Sequence, residues 1–229
     1  MPTAQTNYDR KMNQDLISYY NERAKEYDKV YMNPDEQEDL FNATTLFQNI
    51  FSTKDVLEIA CGTGYWTEKI SKTASSIIAT DINQSVVEIA KARQTKNNVT
   101  IEVADMYSLT PDKKFDGLFG GFIWSHILQQ NIYGFLDKVK DYIITNGDVV
   151  FIDSNQVEGT THDKKRITKI DKHGNTYQIR ILDNGTPHEV LKNFPTKEFL
   201  VEKLSRIASE INITNLEHYW IVCCKMKKI

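Results

Sequence analysis

The sequence predicts an α/β protein built on a doubly wound, mostly parallel sheet, and three observations carry that prediction. From Asp55 onward, apolar strand-like runs alternate with amphipathic helical stretches. The first run, "VLEIA", breaks into a small glycine-punctuated turn, "CGTG", before the next helix. Carboxylates recur where strands end, at Asp81 in "SIIATD" and Asp105 in "EVAD". Strands joined through helices close by right-handed crossovers, which lay helices on both faces of a parallel sheet.

Taken in order, "DLISYYNERAKEYD" places Leu16, Tyr20, Ala24 and Tyr27 near one helical face. A second helix opens at Asn33-Pro34, with a cap residue, proline at the first helical position, acids in the first turn and the stripe Leu40, Ala43, Phe47, Ile50. "DVLEIA", "SIIATD", "VTIEVAD", "FDGLFGG" and "DVVFIDS" read as strands. Helices fall between them over residues 65–71, 85–93, with Asn83 as cap, and 132–144. After Ser154 the rhythm breaks. Residues 156–195 hold two turn signals, "KHGN" and "DNGT", around "TYQIRIL", in which Tyr177, Ile179 and Ile181 alternate, so an inserted β-hairpin cap is expected. A helix opened by Thr196 and running to about Ser209, then a β segment "ITNLEHYWIVCCKM", follows. The organisation expected is one domain over residues 1–229, with an N-terminal helical lid over 1–52 and the cap over 156–195.

Composition narrows the function. At 229 residues, 40% hydrophobic and 26% charged, the chain can bury a full core. Its net charge of −3 argues against nucleic acid as a partner, since phosphate binding draws on a Lys/Arg surplus. No apolar run is long enough to span a bilayer and "MPTAQTNYDRKMNQ" is too polar for a signal peptide, so the expectation is a cytoplasmic protein without a membrane partner. Cys61, Cys223 and Cys224 show no metal-ligand spacing, and no metal is expected.

A strand that ends in a glycine turn and feeds a helix brings main chain close to a ligand and aims unpaired N–H groups at it, as nucleotide-derived cofactors require. A dinucleotide fingerprint wants a third glycine where this chain has Thr67. Asp81 is placed to accept hydrogen bonds from ribose hydroxyls and Asp105 from an adenine amino group, with Ile82 and Met106 as apolar faces for the ring. The alternative for each acid is a cap on the next turn.

The stretches "VLEIACGTG", "ATDINQSVVEIAKAR", "VADMYSL", "FDGLFGGFIWSHIL" and the leading "YYNERAKEYD", spread over about residues 19–155, resemble the class I S-adenosylmethionine-dependent methyltransferases of small-molecule type. The resemblance implies a Rossmann-like, seven-stranded sheet and S-adenosyl-L-methionine as cofactor. It implies that Glu58 holds main chain of the motif or the cofactor's amino group, that Gly62 flanks the methionyl moiety, that Asp81 binds ribose, and that Asp105 and Met106 face adenine. The helix from Tyr19 to Tyr27 closes over the methionine end, where Arg23 is either a partner of the carboxylate or a surface charge. Ala60 departs from the motif, many members having glycine there. A Cβ at Gly62 or Gly64 is expected to intrude on the cofactor, and Trp66 and Phe122 complete the cofactor-facing set.

A methyl sulfonium is already electrophilic, so the protein's task is alignment of an acceptor and exclusion of water. His126, just past the fourth strand, is the candidate base or acceptor-orienting group, with a helix cap or a solvent-facing side chain as its alternatives. Trp124, Asp153, Tyr177 and Arg180 are the other candidate acceptor residues, Trp124 with a core role as alternative. The cap's Lys164, Lys165, Arg166 and Arg180 are candidates to attract an anion, with a solvated charged face as their alternative. The fourth strand's "GGFIWS" lacks the acid- or Asn-Pro-Pro-aromatic signature of base amino-methylating enzymes, which leaves a small-molecule acceptor, methylated on O or N, as the expected partner. A tRNA or protein methyltransferase, and a protein that binds S-adenosylmethionine to cyclise or sense it, are the alternatives. The cap is either a lid or the contact of a homodimer.

Overall fold

The computed structural model describes residues 7–94, 96–156 and 167–228. The chain runs α1 (Asn7–Arg23), a 3₁₀ segment (Ala24–Tyr31), a 3₁₀ turn (Pro34–Glu36), α2 (Gln37–Ile50), β1 (Asp55–Ile59), α3 (Tyr65–Ile70), β2 (Ser76–Asp81), α4 (Gln84–Arg93), β3 (Val99–Val103) and β4 (Phe115–Gly121). Then come α5 (Ile132–Tyr142), β5 (Ile143–Ser154), β6 (Ile167–Ile170), β7 (Thr176–Ile181), β8 (Pro187–Leu191), α6 (Lys197–Leu204), β9 (Ala208–Asn215) and β10 (Tyr219–Met226).

Seven strands form one sheet in the order β3-β2-β1-β4-β5-β10-β9. The first five are parallel, and β10 enters antiparallel to β5. The order reverses beside β1, so the ends of β1 and β4 open a crevice at a topological switch point, where such sheets take ligands. Both faces are covered. Leu57, Leu118, Val149, Phe151 and Val222 point to one core with α5 and α6, while Val56, Phe119, Val150, Ile152 and Ile221 point to a second beneath α2, α3 and α4. A strand buried on both sides needs apolar residues at every position, hence the unbroken run "VVFI" in β5.

Three expectations are corrected. The inserted hairpin is a three-stranded antiparallel meander, because Pro187–Leu191 adds a strand to β7. The last helix ends at Leu204 rather than near Ser209, and the final β segment is two strands, β9 and β10. Asn83 starts α4 without a side-chain cap. Its backbone N–H serves Asp81 instead. In the cap, Gln178, Arg180 and Leu182 alternate with Tyr177, Ile179 and Ile181, and Leu182 and Val190 pack on Tyr19 of α1. Ile179 and Ile181 are exposed. The face of the cap turned to α1 therefore mixes the apolar Leu182 and Val190 with the polar Gln178 and Arg180. Lys164, Lys165 and Arg166 lie outside the described residues. Among the described residues no helix is long and apolar enough to cross a membrane.

Candidate active site

The turn after β1 is built from left-handed backbone. Ala60, Gly62 and Gly64 have φ of +52°, +54° and +80°. That conformation costs a residue with a Cβ about 1–2 kcal/mol, so Ala60 sits where glycine would be easier. The geometry directs the Gly62 N–H at Asp81 Oδ2, at 2.9 Å, while Asn83 N donates to Oδ1 at 2.9 Å. Burial raises the Asp81 carboxyl above its ordinary value, against the pull of these hydrogen bonds. The two glycines differ in purpose. A Cβ on Gly62 would meet only Tyr27 Cε1, at 3.9 Å, on the cavity side. One on Gly64 would meet the Ala90 Cβ at 3.0 Å, so Gly64 makes room for α4 rather than for a ligand.

The cavity above this turn is lined by Ala60, Gly62, Asp81, Ile82, Asn83, Val86, Gly121, Phe122, Ile123 and His126 from the sheet side. Leu16, Ile17, Tyr20 and Tyr27 close it from α1 and the 3₁₀ segment. The rings of Tyr19, Tyr20 and Tyr27 form a continuous cluster, with centroids 4.9 and 5.8 Å apart. The Arg23 guanidinium lies 5.2 Å over Tyr27 and 5.7 Å over Tyr19. Burial pushes the Tyr27 hydroxyl up to about 12 and that of Tyr20 well above its usual range.

His126 is held by both ring nitrogens. Nδ1 lies 2.6 Å from the Leu191 carbonyl, which can only accept, so Nδ1 carries the proton. Nε2 is therefore the acceptor for the Tyr20 hydroxyl, 2.6 Å away. Burial first, and the Lys192 charge second, push the imidazole down to about 3. It is neutral at physiological pH and a weak base.

A buried ion pair stands behind it. Lys192 Nζ donates to Asp153 Oδ1 at 2.6 Å and to Ser125 Oγ at 2.8 Å. Asp153 also accepts from Ser125 N and Ser154 N. Burial alone would raise the Asp153 carboxyl, but Lys192 and these N–H groups hold it below its ordinary value. Asn193 N donates to Ser125 O at 2.8 Å, so the end of the cap grips the segment that carries His126. Lys192 and Ser125 were not among the residues expected from sequence. The one signal was a lysine sharing strand parity with the apolar Val190.

Tyr27, Ala60, Gly62, Asp81, Ile82, Phe122 and His126 thus share one cavity, with Tyr19 and Arg23 against its lid wall. Arg180, on the cap's inward face, is largely buried, and burial lowers its guanidinium. Other candidates lie elsewhere. Glu58 is buried in β1, its Oε2 without a hydrogen-bond partner among the described residues, and burial pushes it to about 8. Trp66 is core, seated with Phe47 and Phe119 where Gly121 has no Cβ. Asp105 accepts from Tyr107 N in a tight turn beyond β3, and the Met106 carbonyl accepts from Tyr142. Trp124 packs with Phe135, Phe151 and Trp220. Tyr177 is buried on the cap's other face, its hydroxyl on Asp171.

Residues 56–147 match the family described as "Methyltransferase domain". A malonyl-[acyl-carrier protein] O-methyltransferase of Bacillus cereus is 39% identical over 79 residues, 33% of this chain and 29% of the relative. The chain thus spans less than a third of the length of that relative in the matched region. Among solved structures, a DhpI–SAH complex superposes with a TM-score of 0.78 at 24% identity, covering 95% of this chain and 98% of the other. The N-methyltransferase NodS of Bradyrhizobium japonicum in complex with S-adenosyl-L-homocysteine gives 0.66 at 14% identity, covering 93% and 100%. The sheet order and the left-handed glycine turn agree with the methyltransferase-domain match over residues 56–147, and the fold is that of the class I S-adenosylmethionine-dependent methyltransferases.

Proposed function

We propose that this protein transfers a methyl group from S-adenosylmethionine to an oxygen of a small anionic acceptor. The residues present fit the cofactor. Each Asp81 oxygen takes one N–H and keeps a lone pair, as a pair of ribose hydroxyls needs. Ile82 and Val86 offer apolar walls, and main chain at Gly62 is open to close approach. When bound, the cofactor supplies an electrophilic methyl on sulfonium sulfur.

The observation that carries the acceptor class is positive charge beside Tyr20, which lines the cavity and feels both Arg23 and Arg180. Arg23 and Arg180 have no carboxylate partner among the described residues, and Arg180 donates to Gln178 Oε1 at 2.6 Å. Like charges gathered and desolvated without a counter-ion are stabilised by an arriving anion, which a guanidinium fork grips by two hydrogen bonds. An oxyanion also has no proton to lose, which agrees with a histidine too weak to act as base. His126 instead orients Tyr20, whose hydroxyl can turn from Nε2 toward the acceptor. The lid tyrosines exclude water from the transfer. That a malonyl-[acyl-carrier protein] O-methyltransferase is among the relatives supports oxygen as the acceptor atom.

The test is turnover against a panel of small carboxylates, phosphorus oxyanions, neutral phenols and amines, with methylated products read by mass spectrometry. Esters of the anions are expected. Arg180→Met should raise acceptor KM at least roughly tenfold, since it removes hydrogen bonds to a charged group. Cofactor affinity should not move in that variant, whereas Asp81→Ala should weaken it. Methylation of amines alone, with Arg180→Met unaffected, would refute the acceptor class.

A further inference from the structure

The lid reaches the glycine turn through one carboxylate that lies outside the cavity. Thr63, 1% exposed, sits between Gly62, whose N–H serves Asp81, and Gly64, which packs on α4. Its hydroxyl donates to Asp28 Oδ1 in the 3₁₀ segment Ala24–Tyr31. The other Asp28 oxygen takes Arg93 Nη2, from the last turn of α4. Arg93 Nε in turn lies 3.8 Å from Glu68 of α3. Three pieces that frame the cavity, the lid segment, the turn and α4, therefore meet on Asp28.

We propose that Asp28 is a positioning residue for the cofactor, locking the lid's 3₁₀ segment and the glycine turn into one conformational unit. Both Asp28 oxygens are engaged, and the pairs on the carboxylate are largely shielded, with side-chain exposures of 28% and 23% for Asp28 and Arg93. Two other contacts of α1 and the 3₁₀ segment with the cap have solvent-exposed members. Lys29–Asp183 is exposed at 60% and 65%, and Glu22–His188 spans 3.4 Å. Solvated pairs of that kind hold geometry weakly. Tyr27, next to Asp28 in the chain, covers Gly62, so the register of the ring over the turn follows from the Asp28 anchor. Seating of the lid and formation of the turn that aims Gly62 at Asp81 then shift together. Affinity for the cofactor depends on a residue that does not line its cavity.

This inference rests on the cofactor assignment, so its test has one arm that needs no ligand. In the ligand-free protein, Asp28→Ala and Thr63→Val should each speed amide hydrogen exchange over residues 61–64 and 24–31 together, while Thr63→Ser, which keeps the hydroxyl, should match the parent. In calorimetry with S-adenosylhomocysteine, Asp28→Ala and Thr63→Val should each weaken binding by roughly tenfold, the double variant no more than the worse single one. Turnover at saturating cofactor should stay within about threefold of the parent, a split that general destabilisation would not produce. Faster exchange confined to residues 24–31, or effects that simply add in the double variant, overturns the proposal. Coupled exchange in a parent that fails to bind S-adenosylhomocysteine would uphold the lock and refute the cofactor assignment instead.

Discussion

Replacing Lys192 by Met isolates the energetic weight of the ion pair behind His126. The lysine side chain is 7% exposed and its partner Asp153 is 0% exposed, so the variant leaves a carboxylate in the interior with only the Ser125 and Ser154 N–H groups for company. Breaking a buried pair on one side costs about 3–5 kcal/mol. For a domain of this size that is a fall in Tm of roughly 6–20 °C at 2–4 °C per kcal/mol. Adding Asp153→Asn removes the stranded charge while keeping an acceptor for Ser125 N, and should recover most of the loss. The pH dependence gives the reasoning its sharper edge. In the parent, the folded Asp153 carboxyl lies below its unfolded value, so its contribution is full above about pH 4 and fades as pH falls through the folded value. In Lys192→Met, burial without the ammonium raises the same carboxyl, and the variant gains relative to the parent as pH falls. Urea unfolding of both proteins between pH 4 and pH 8 should show the gap narrowing on acidification. A deficit below about 1 kcal/mol, or one constant across that range, would refute the assignment of the cost to a stranded charge.

Two further outcomes follow from the backbone and from His126. Ala60→Gly should stabilise the protein by up to about 1 kcal/mol, because a left-handed φ of +52° penalises the methyl group; a lower midpoint in chemical denaturation would contradict this. His126 is depressed to about 3 when folded, so its contribution to stability is full above about pH 6.5 and is lost as pH falls from there toward the folded value. His126→Gln should flatten that acid slope, and NMR of the parent should find the imidazole neutral at pH 5.

The strands of the parallel sheet were legible because burial on both faces favours apolar runs: "VVFI" is unbroken, and "VLEI" and "IIAT" carry one polar residue each, Glu58 and Thr80. The end of α6 was not, since residues 205–210, "SRIASE", contain neither glycine nor proline to stop a helix, and only pairing with β10 shows where the strand begins. The third cap strand opens on Pro187 and carries His188 and Glu189, a pattern too polar to read as a strand without its neighbour β7. Residues at the site followed the same division. Gly62 follows β1 and Asp81 ends β2, the next strand, so both fall within one short strand–turn–helix–strand stretch and show in the sequence. Lys192 and Asp153 are 39 positions apart, and nothing near either names the other. Gly64 was found at a place that requires glycine, but the requirement comes from Ala90 on a later helix.

The Lys192–Asp153 pair has a consequence for how this chain can change over generations. It joins the residue just before the cap's excursion to the residue just after it, fastening a long loop at its base. The entropy of closing such a loop grows only logarithmically with its length, about 0.6 kcal/mol for each doubling. Exposed turn residues within the excursion, such as those around Gly185, can therefore be inserted or deleted at small thermodynamic cost while the base stays shut. Asp81 and the glycine turn lie wholly outside it. Drift at those turns leaves Asp81 and the glycine turn untouched.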